Sequence, residues 1–271
     1  FPGSRYLEWA LVLPLAMPAY IIAYTYTGML DVGGPLQSWI RTTFEVRFGD
    51  YWFPQIRSIG GAITMLSLVL YPYVYLLTRT AFIEQSVCVL EVSRTLGASP
   101  FKAFSRVALP LARPAIMAAL SLVLMETLAD YGTVQYFGVS TFTTGIYRTW
   151  FGLGSPVAAA QLAAVLMVFI FGLVLAEQWS RSKARYHHTS NKYTRLPRIE
   201  LHGWKRAGAM FYCFFPVVFG FLIPFIQLSL WAVDTWELLD RSNFLGLFGN
   251  SLKLASITAV IALFLSLFIT Y

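Results

Sequence analysis

Glu126 and Asp130 stand four residues apart in an otherwise apolar stretch. On a helix, residues at that spacing are neighbours on one face. A carboxylate in hydrocarbon costs at least a few kcal/mol, so the pair must face protein or a water-filled path. Two chemistries fit. The acids can line a polar translocation path, with Tyr131 and Gln135 beside them. Alternatively, Glu126 is protonated and the pair holds helices together by hydrogen bonds. Tyr71, Tyr73 and Tyr75 could supply phenolic oxygens but read as an interfacial aromatic belt. Thr141-Phe142-Thr143-Thr144-Gly145 and Tyr147-Arg148-Thr149-Trp150 can touch a docked protein, or form a plain loop with an interfacial Trp. His187-His188, Asn191 and His202 could suggest a metal. Adjacent histidines on a regular helix cannot both point at one ion, and no cysteine or carboxylate cluster accompanies them. No G-x4-G-K-[ST] loop, H-E-x-x-H or G-x-S-x-G is present. The expectation is a chain that is not an enzyme, with no catalytic or metal-binding residue and no cofactor of its own.

The elements that must position these groups are membrane helices. The 271 residues are 57% hydrophobic and 12% charged, against about 25% charged in soluble domains. The net charge of +7 does not point to nucleic acid, because the basic residues cluster beside apolar spans. Cys88 falls in a polar loop and Cys213 inside a span, which argues against a disulfide between them. The chain starts at Phe1-Pro2-Gly3 and stops at Tyr271 within an apolar run. It reads as an internal piece of a longer polypeptide.

About 20 apolar residues cross a bilayer. The expected spans are Trp9 to Thr27, kinked by Pro14 and Pro18; Ser58 to Thr78; Pro114 to Tyr136; Pro156 to Ala176; Ala207 to Val233; and a last one beginning at Leu254. Residues 31–54, 137–155 and 234–250 read as loops. Arg79, Arg94, Lys102, Arg106 and Arg113 flank one polar loop, and Arg181 to Arg206 form the longest basic stretch. The positive-inside rule places both in the cytoplasm and the acidic loop after Val233 outside. The domains expected are 1–178, a basic linker at 179–206, and 207–271. The linker reads as solvated chain near anionic lipid.

The polar loop at 84–110 carries Glu91-Val92-Ser93-Arg94-Thr95-Leu96-Gly97-Ala98-Ser99-Pro100 and then Val107-Ala108-Leu109-Pro110. Glu84 to Leu96 reads as a short helix that Gly97 ends, since glycine takes the left-handed conformation at little cost. Ser99 then caps a second helix with Pro100 at its first position. Glu91, Gly97, Leu109 and Pro110 keep the spacing E-A-A-x3-G-x9-I-x-L-P of the coupling loop of ABC importer permeases, which this stretch resembles. Val92, Ser93 and Val107 depart from it by small or apolar exchanges. The resemblance implies an all-α polytopic membrane bundle, a fragment of the type I permease fold, in a bacterial inner membrane. The loop would dock in a groove of a separate ATPase.

Leu124 to Val134, Tyr136-Phe137-Gly138, Thr141 to Trp150, Leu70 to Leu76 and Pro14 to Tyr20 are similar to the iron(III) permeases in particular. That group fuses two permease halves. Here 1–178 would be the latter part of the first half and 207–271 the opening of the second, with Asn250-Ser251-Leu252 starting a helix. The implied partners are a pair of ATPase subunits that bind ATP and Mg, a periplasmic or lipid-anchored ferric-binding protein, and the lipid bilayer. Thiamine, phosphonate, sulfate and polyamine permeases share the loop and fold. A gradient-driven transporter using Glu126 and Asp130, and a membrane scaffold, are the readings from other classes.

Overall fold

The computed structural model describes residues 3–84, 95, 97, 99–182, 201–238 and 241–270. Among the described residues every regular element is helical. The helices are α1 (Ser4–Ala10), α2 (Ala19–Leu30), α3 (Pro35–Phe44), α4 (Ile59–Glu84), α5 (Pro100–Ala103), α6 (Leu109–Ala129), α7 (Gly132–Tyr136), α8 (Phe142–Tyr147), α9 (Pro156–Ser182), α10 (Gly203–Val217), α11 (Ile223–Asp234) and α12 (Arg241–Thr270). Five stretches are long and apolar enough to cross a membrane: Ile59–Ile83, Phe101–Ala129, Pro156–Trp179, Gly203–Asp234 and Asn243–Thr270. A broken pair, Ser4–Ala16 with Ala19–Phe44, makes a sixth if it counts as one span.

The expected first span, Trp9 to Thr27, is therefore not one kinked helix. Its two pieces are bent by 86°. Pro14 falls in a 3₁₀ turn, Leu13–Ala16, and Pro18 is extended at ψ 136°. Neither proline has an N–H to donate, so the helical ladder fails twice within five positions. The third expected span also differs. Its helix ends at Ala129 rather than Tyr136, and Pro114, expected as its start, lies inside it. The loops expected at 31–54 and 137–155 contain α3 and α8. The last helix starts at Arg241, ahead of the expected Asn250.

Packing divides the chain into two compact units, Phe1–Phe225 and Ile226–Tyr271. In the first, α6 packs against both α4 and α9, and α2 lies on α4 and α7. Small residues make the close approaches. Ala112 and Ala119 of α6 and Ala159 of α9 are fully buried, and Ala62 of α4 nearly so. In a bilayer there is no hydrophobic drive between helices, and small side chains gain association by letting backbones approach. Ile22, Met65, Leu66, Val69 and Leu70 fill the space between them. In the second unit, α12 exposes apolar side chains along its length, including Leu254, Ile257, Phe264 and Phe268.

Two spans contain a π-helical turn, and each turn ends two residues before a proline. Phe104–Ala108 leads into Leu109-Pro110, and Leu109 donates its N–H to the carbonyl of Phe104 five residues back. Val218–Leu222 leads into Ile223-Pro224, and Ile223 donates to Val218 in the same way. A proline ring crowds the carbonyl four residues earlier and offers it no donor. One extra residue in the turn relieves that crowding without ending the helix.

Candidate functional site

The coupling-like loop is described in part. Glu91, Val92 and Ser93 lie outside the described residues. Thr95 is helical and Gly97 follows with φ +82°, the left-handed value that glycine was expected to supply. An added Cβ would meet nothing within 4 Å there, so backbone strain is what a side chain would introduce. Ser99 then caps the next turn. Its Oγ accepts from the Lys102 N–H at 3.4 Å, and its carbonyl accepts from the Ala103 N–H at 2.9 Å. Pro100 occupies the first position of α5, where no donor is needed. Phe101 and Lys102 are exposed beside the cap. Leu109 and Pro110 sit at the π-to-α junction that carries this surface into the long span α6. The described part of the segment thus presents a left-handed corner at Gly97, a capped turn at Pro100 and a continuous helical lead into the long span.

Glu126 and Asp130 do not share a helical face. Asp130 is extended at ψ 129°, one residue past the end of α6. Its carboxylate accepts from Thr133 Oγ1 at 2.9 Å and from the Val134 N–H at 3.1 Å, which caps α7. Its carbonyl accepts from Thr143 Oγ1 at 2.7 Å. Thr141 closes this knot. It forms a capping box with Thr144 at the start of α8, and its Oγ1 lies 2.8 Å from that of Thr143. Thr133, Thr143 and Thr144 are all buried, so these threonines tie α6, α7 and α8 together, while Phe142, Tyr147 and Trp150 of the same segments remain exposed. The helix breaks at Asp130 because an Asp side chain competes for nearby N–H groups. Glu126 stays on α6, near its C-terminal end, and is exposed. Among the described residues nothing hydrogen-bonds its carboxylate. Tyr131 stacks on Tyr147 with ring centroids 4.0 Å apart, and Gln135 is exposed on α7.

A second polar system was not visible in the sequence. Tyr71, Tyr75 and Arg79 lie at four-residue spacing along α4. Tyr71 donates to the Leu11 carbonyl at 2.6 Å and Tyr75 to that of Glu8 at 3.2 Å. Arg79 Nη2 lies 2.7 Å from Glu8 Oε2. Tyr71 and Tyr75 therefore hold the end of α1 rather than forming a lipid-facing belt. Deeper in the bundle, Tyr26 donates to the Phe219 carbonyl at 2.6 Å, a backbone group of the π turn. Gly220 of that turn meets α4 so closely that a Cβ would come within 2.9 Å of the Leu68 carbonyl and 3.0 Å of Pro14. The spacing of 71, 75 and 79 was the only sequence signal, since the acceptors are backbone carbonyls that no residue type announces.

A bundle of apolar spans, with a polar elbow of this construction between two of them, defines a multi-pass membrane transport subunit. The chain belongs to the family of binding-protein-dependent transport system inner membrane components, whose model matches residues 2–179. Its all-helical described residues and five candidate spans fit the type I permease fold of that family and a multi-pass place in the inner membrane. The Fe(3+)-transport system permease protein FbpB 2 of Haemophilus influenzae is 27% identical over 98% of this chain and 49% of its own length. A probable ABC transporter permease protein, y4fN of Sinorhizobium fredii, is 24% identical over 98% of the chain and 50% of its own length. The molybdenum transport system permease protein ModB of Escherichia coli is 23% identical over 66% of the chain and 78% of its own length. The chain thus spans about half the length of the first two relatives.

Proposed function

We propose that this chain is part of the permease of an ATP-driven ferric-iron importer, coupled to a separate ATPase through residues 84–110. The observation that carries the coupling is local. The pattern's glycine, Gly97, is left-handed, and Ser99 caps the turn that starts at Pro100. Ferric iron is supported by the relative named for Fe(3+) transport, which aligns along nearly the whole chain. The partners in this reading are a pair of ATPase subunits, which bind ATP and Mg, and a binding protein that delivers the ion. In this reading the chain itself needs no cofactor. The fusion of two halves, joined through 179–206, belongs to the same reading; of that linker, 183–200 lie outside the described residues. Glu126, exposed near the end of α6, is the acid that would line the path. In this reading Tyr131 and Gln135 line the same path beyond the bend, and Asp130 serves as the cap that holds it.

A second substrate class rests on the relatives named for molybdenum and 2-aminoethylphosphonate transport, which align over 66% and 64% of the chain. The gradient-driven reading loses ground, because one of its two acids is engaged by Thr133 and Val134. The test is uptake by the full-length parent, reconstituted in vesicles with its ATPase and binding protein. ATP-dependent accumulation of ferric iron, but not of molybdate or phosphonate, is the expected result. ATP-dependent uptake of an oxyanion instead would replace iron and keep the permease.

A further inference from the structure

We infer that α3 and the turn after it form an amphipathic anchor in the lipid headgroup–acyl boundary, at the membrane face opposite the coupling loop. The helix is built inside out for a soluble segment. Gln37 is buried and donates to the Leu30 carbonyl at 2.8 Å, while accepting from the Tyr51 hydroxyl at 2.7 Å. Arg41 donates to the Val32 carbonyl at 2.8 Å and to Ser38 Oγ at 3.1 Å. The polar side of the helix is therefore turned towards the protein. Its apolar side faces away. Trp39 is 58% exposed and Phe44 65%, and their rings meet edge to face. Phe48 and Trp52, further along, are 68% and 87% exposed.

A protein in water would bury the second set and expose the first. The arrangement is stable only if something apolar meets the outer side. The structure indicates lipid. The segment lies between α2 and α4, and α4 begins with Ile59 and Ile63 equally exposed, so the outward surface continues the membrane-spanning one. The depth is set by charge. Asp31 ends α2, Arg57 precedes α4, and the two pair at 3.4 Å with half-exposed side chains. Such a pair belongs at the water boundary, and α3 follows it directly. Two tryptophans at that level match the amphipathic ring preference for the headgroup zone. The side is fixed by α4, whose other end, Glu84, leads into the coupling loop. Between Asp31 and Arg57 there are three basic residues (Arg41, Arg47 and Arg57) and three acidic ones (Asp31, Glu45 and Asp50). Apolar burial rather than attraction to anionic lipid therefore holds the anchor.

The test uses the full-length protein in lipid vesicles, with native cysteines replaced and a single spin-labelled cysteine at 39, 44, 52 or, for comparison, 47. Labels at 39, 44 and 52 are expected to meet oxygen and exclude a water-soluble nickel chelate severalfold more than the label at 47. The pattern is expected to be the same in zwitterionic and anionic vesicles. Equal nickel access at all four positions would overturn the inference in favour of a solvated loop. Protection that appears only when binding protein is added would assign the surface to that partner. Protection lost in discs holding one copy would assign it to a second permease.

Discussion

The carboxylate of Asp130 accepts two hydrogen bonds from the turn that follows it, whereas that of Glu126, one helical turn earlier, accepts none among the described residues. The two acids therefore answer differently to substitution. Asp130→Ala removes a cap and is expected to lower stability by about 1 kcal/mol, read as a lower melting temperature in detergent. Asp130→Asn keeps an acceptor and is expected to restore both the melting temperature and the transport rate. A transport rate that stays low in a fully stable Asp130→Asn variant would show that the charge itself is needed. Glu126→Gln is expected to leave melting unchanged and slow uptake; an unaltered uptake rate would remove Glu126 from the path. At Gly97 the left-handed backbone costs a side chain about 1–2 kcal/mol. Gly97→Asn is therefore expected to retain more ATPase binding in a pull-down than Gly97→Val, since Asn tolerates that conformation.

At the scale of elements, proline decides what the bundle can do. Where Pro110 and Pro224 follow a π turn, the span continues, and where Pro14 and Pro18 fall four positions apart, it breaks. The sequence showed all four prolines but not the outcome, because the outcome depends on whether a neighbour can use the freed carbonyl. At Val218–Leu222 Tyr26 does so. Tyr26→Phe removes a hydrogen bond worth about 1 kcal/mol or less in a membrane, a small loss in melting temperature. Gly220→Leu is the larger test of the same contact. Its side chain would strike the Leu68 carbonyl and Pro14, so a clear drop in melting temperature and in yield of folded protein is expected. A Gly220→Leu variant as stable as wild type would mean that the turn at Val218–Leu222 and α4 do not meet there. The hydrogen bonds to the α1 carbonyls from Tyr71 and Tyr75 were illegible for the same reason. Side-chain spacing is in the sequence, but backbone acceptors are not. Asp130 shows the complementary failure. Helical spacing placed it beside Glu126, and a local cap, invisible to periodicity, ended the helix one residue earlier.

At the scale of the molecule, the apolar runs were enough to read a multi-pass membrane protein, because bilayer thickness acts on composition directly, and the resemblance of the loop between Glu84 and Pro110 to a coupling loop supplied the permease. The loop's corner was legible too, since a left-handed turn followed by a capped helix needs glycine, serine and proline in that order. The cargo was not legible, because selecting it does not require any one residue pattern in a membrane half. The central claim, that this elbow couples the bundle to an ATPase, is tested most directly on the full-length parent, purified with its ATPase, bearing Glu91→Lys or Gly97→Val. The account predicts that both variants fold in the membrane, lose the ATPase on purification and lose ATP-dependent uptake. Variants that retain normal uptake without a bound ATPase would contradict it.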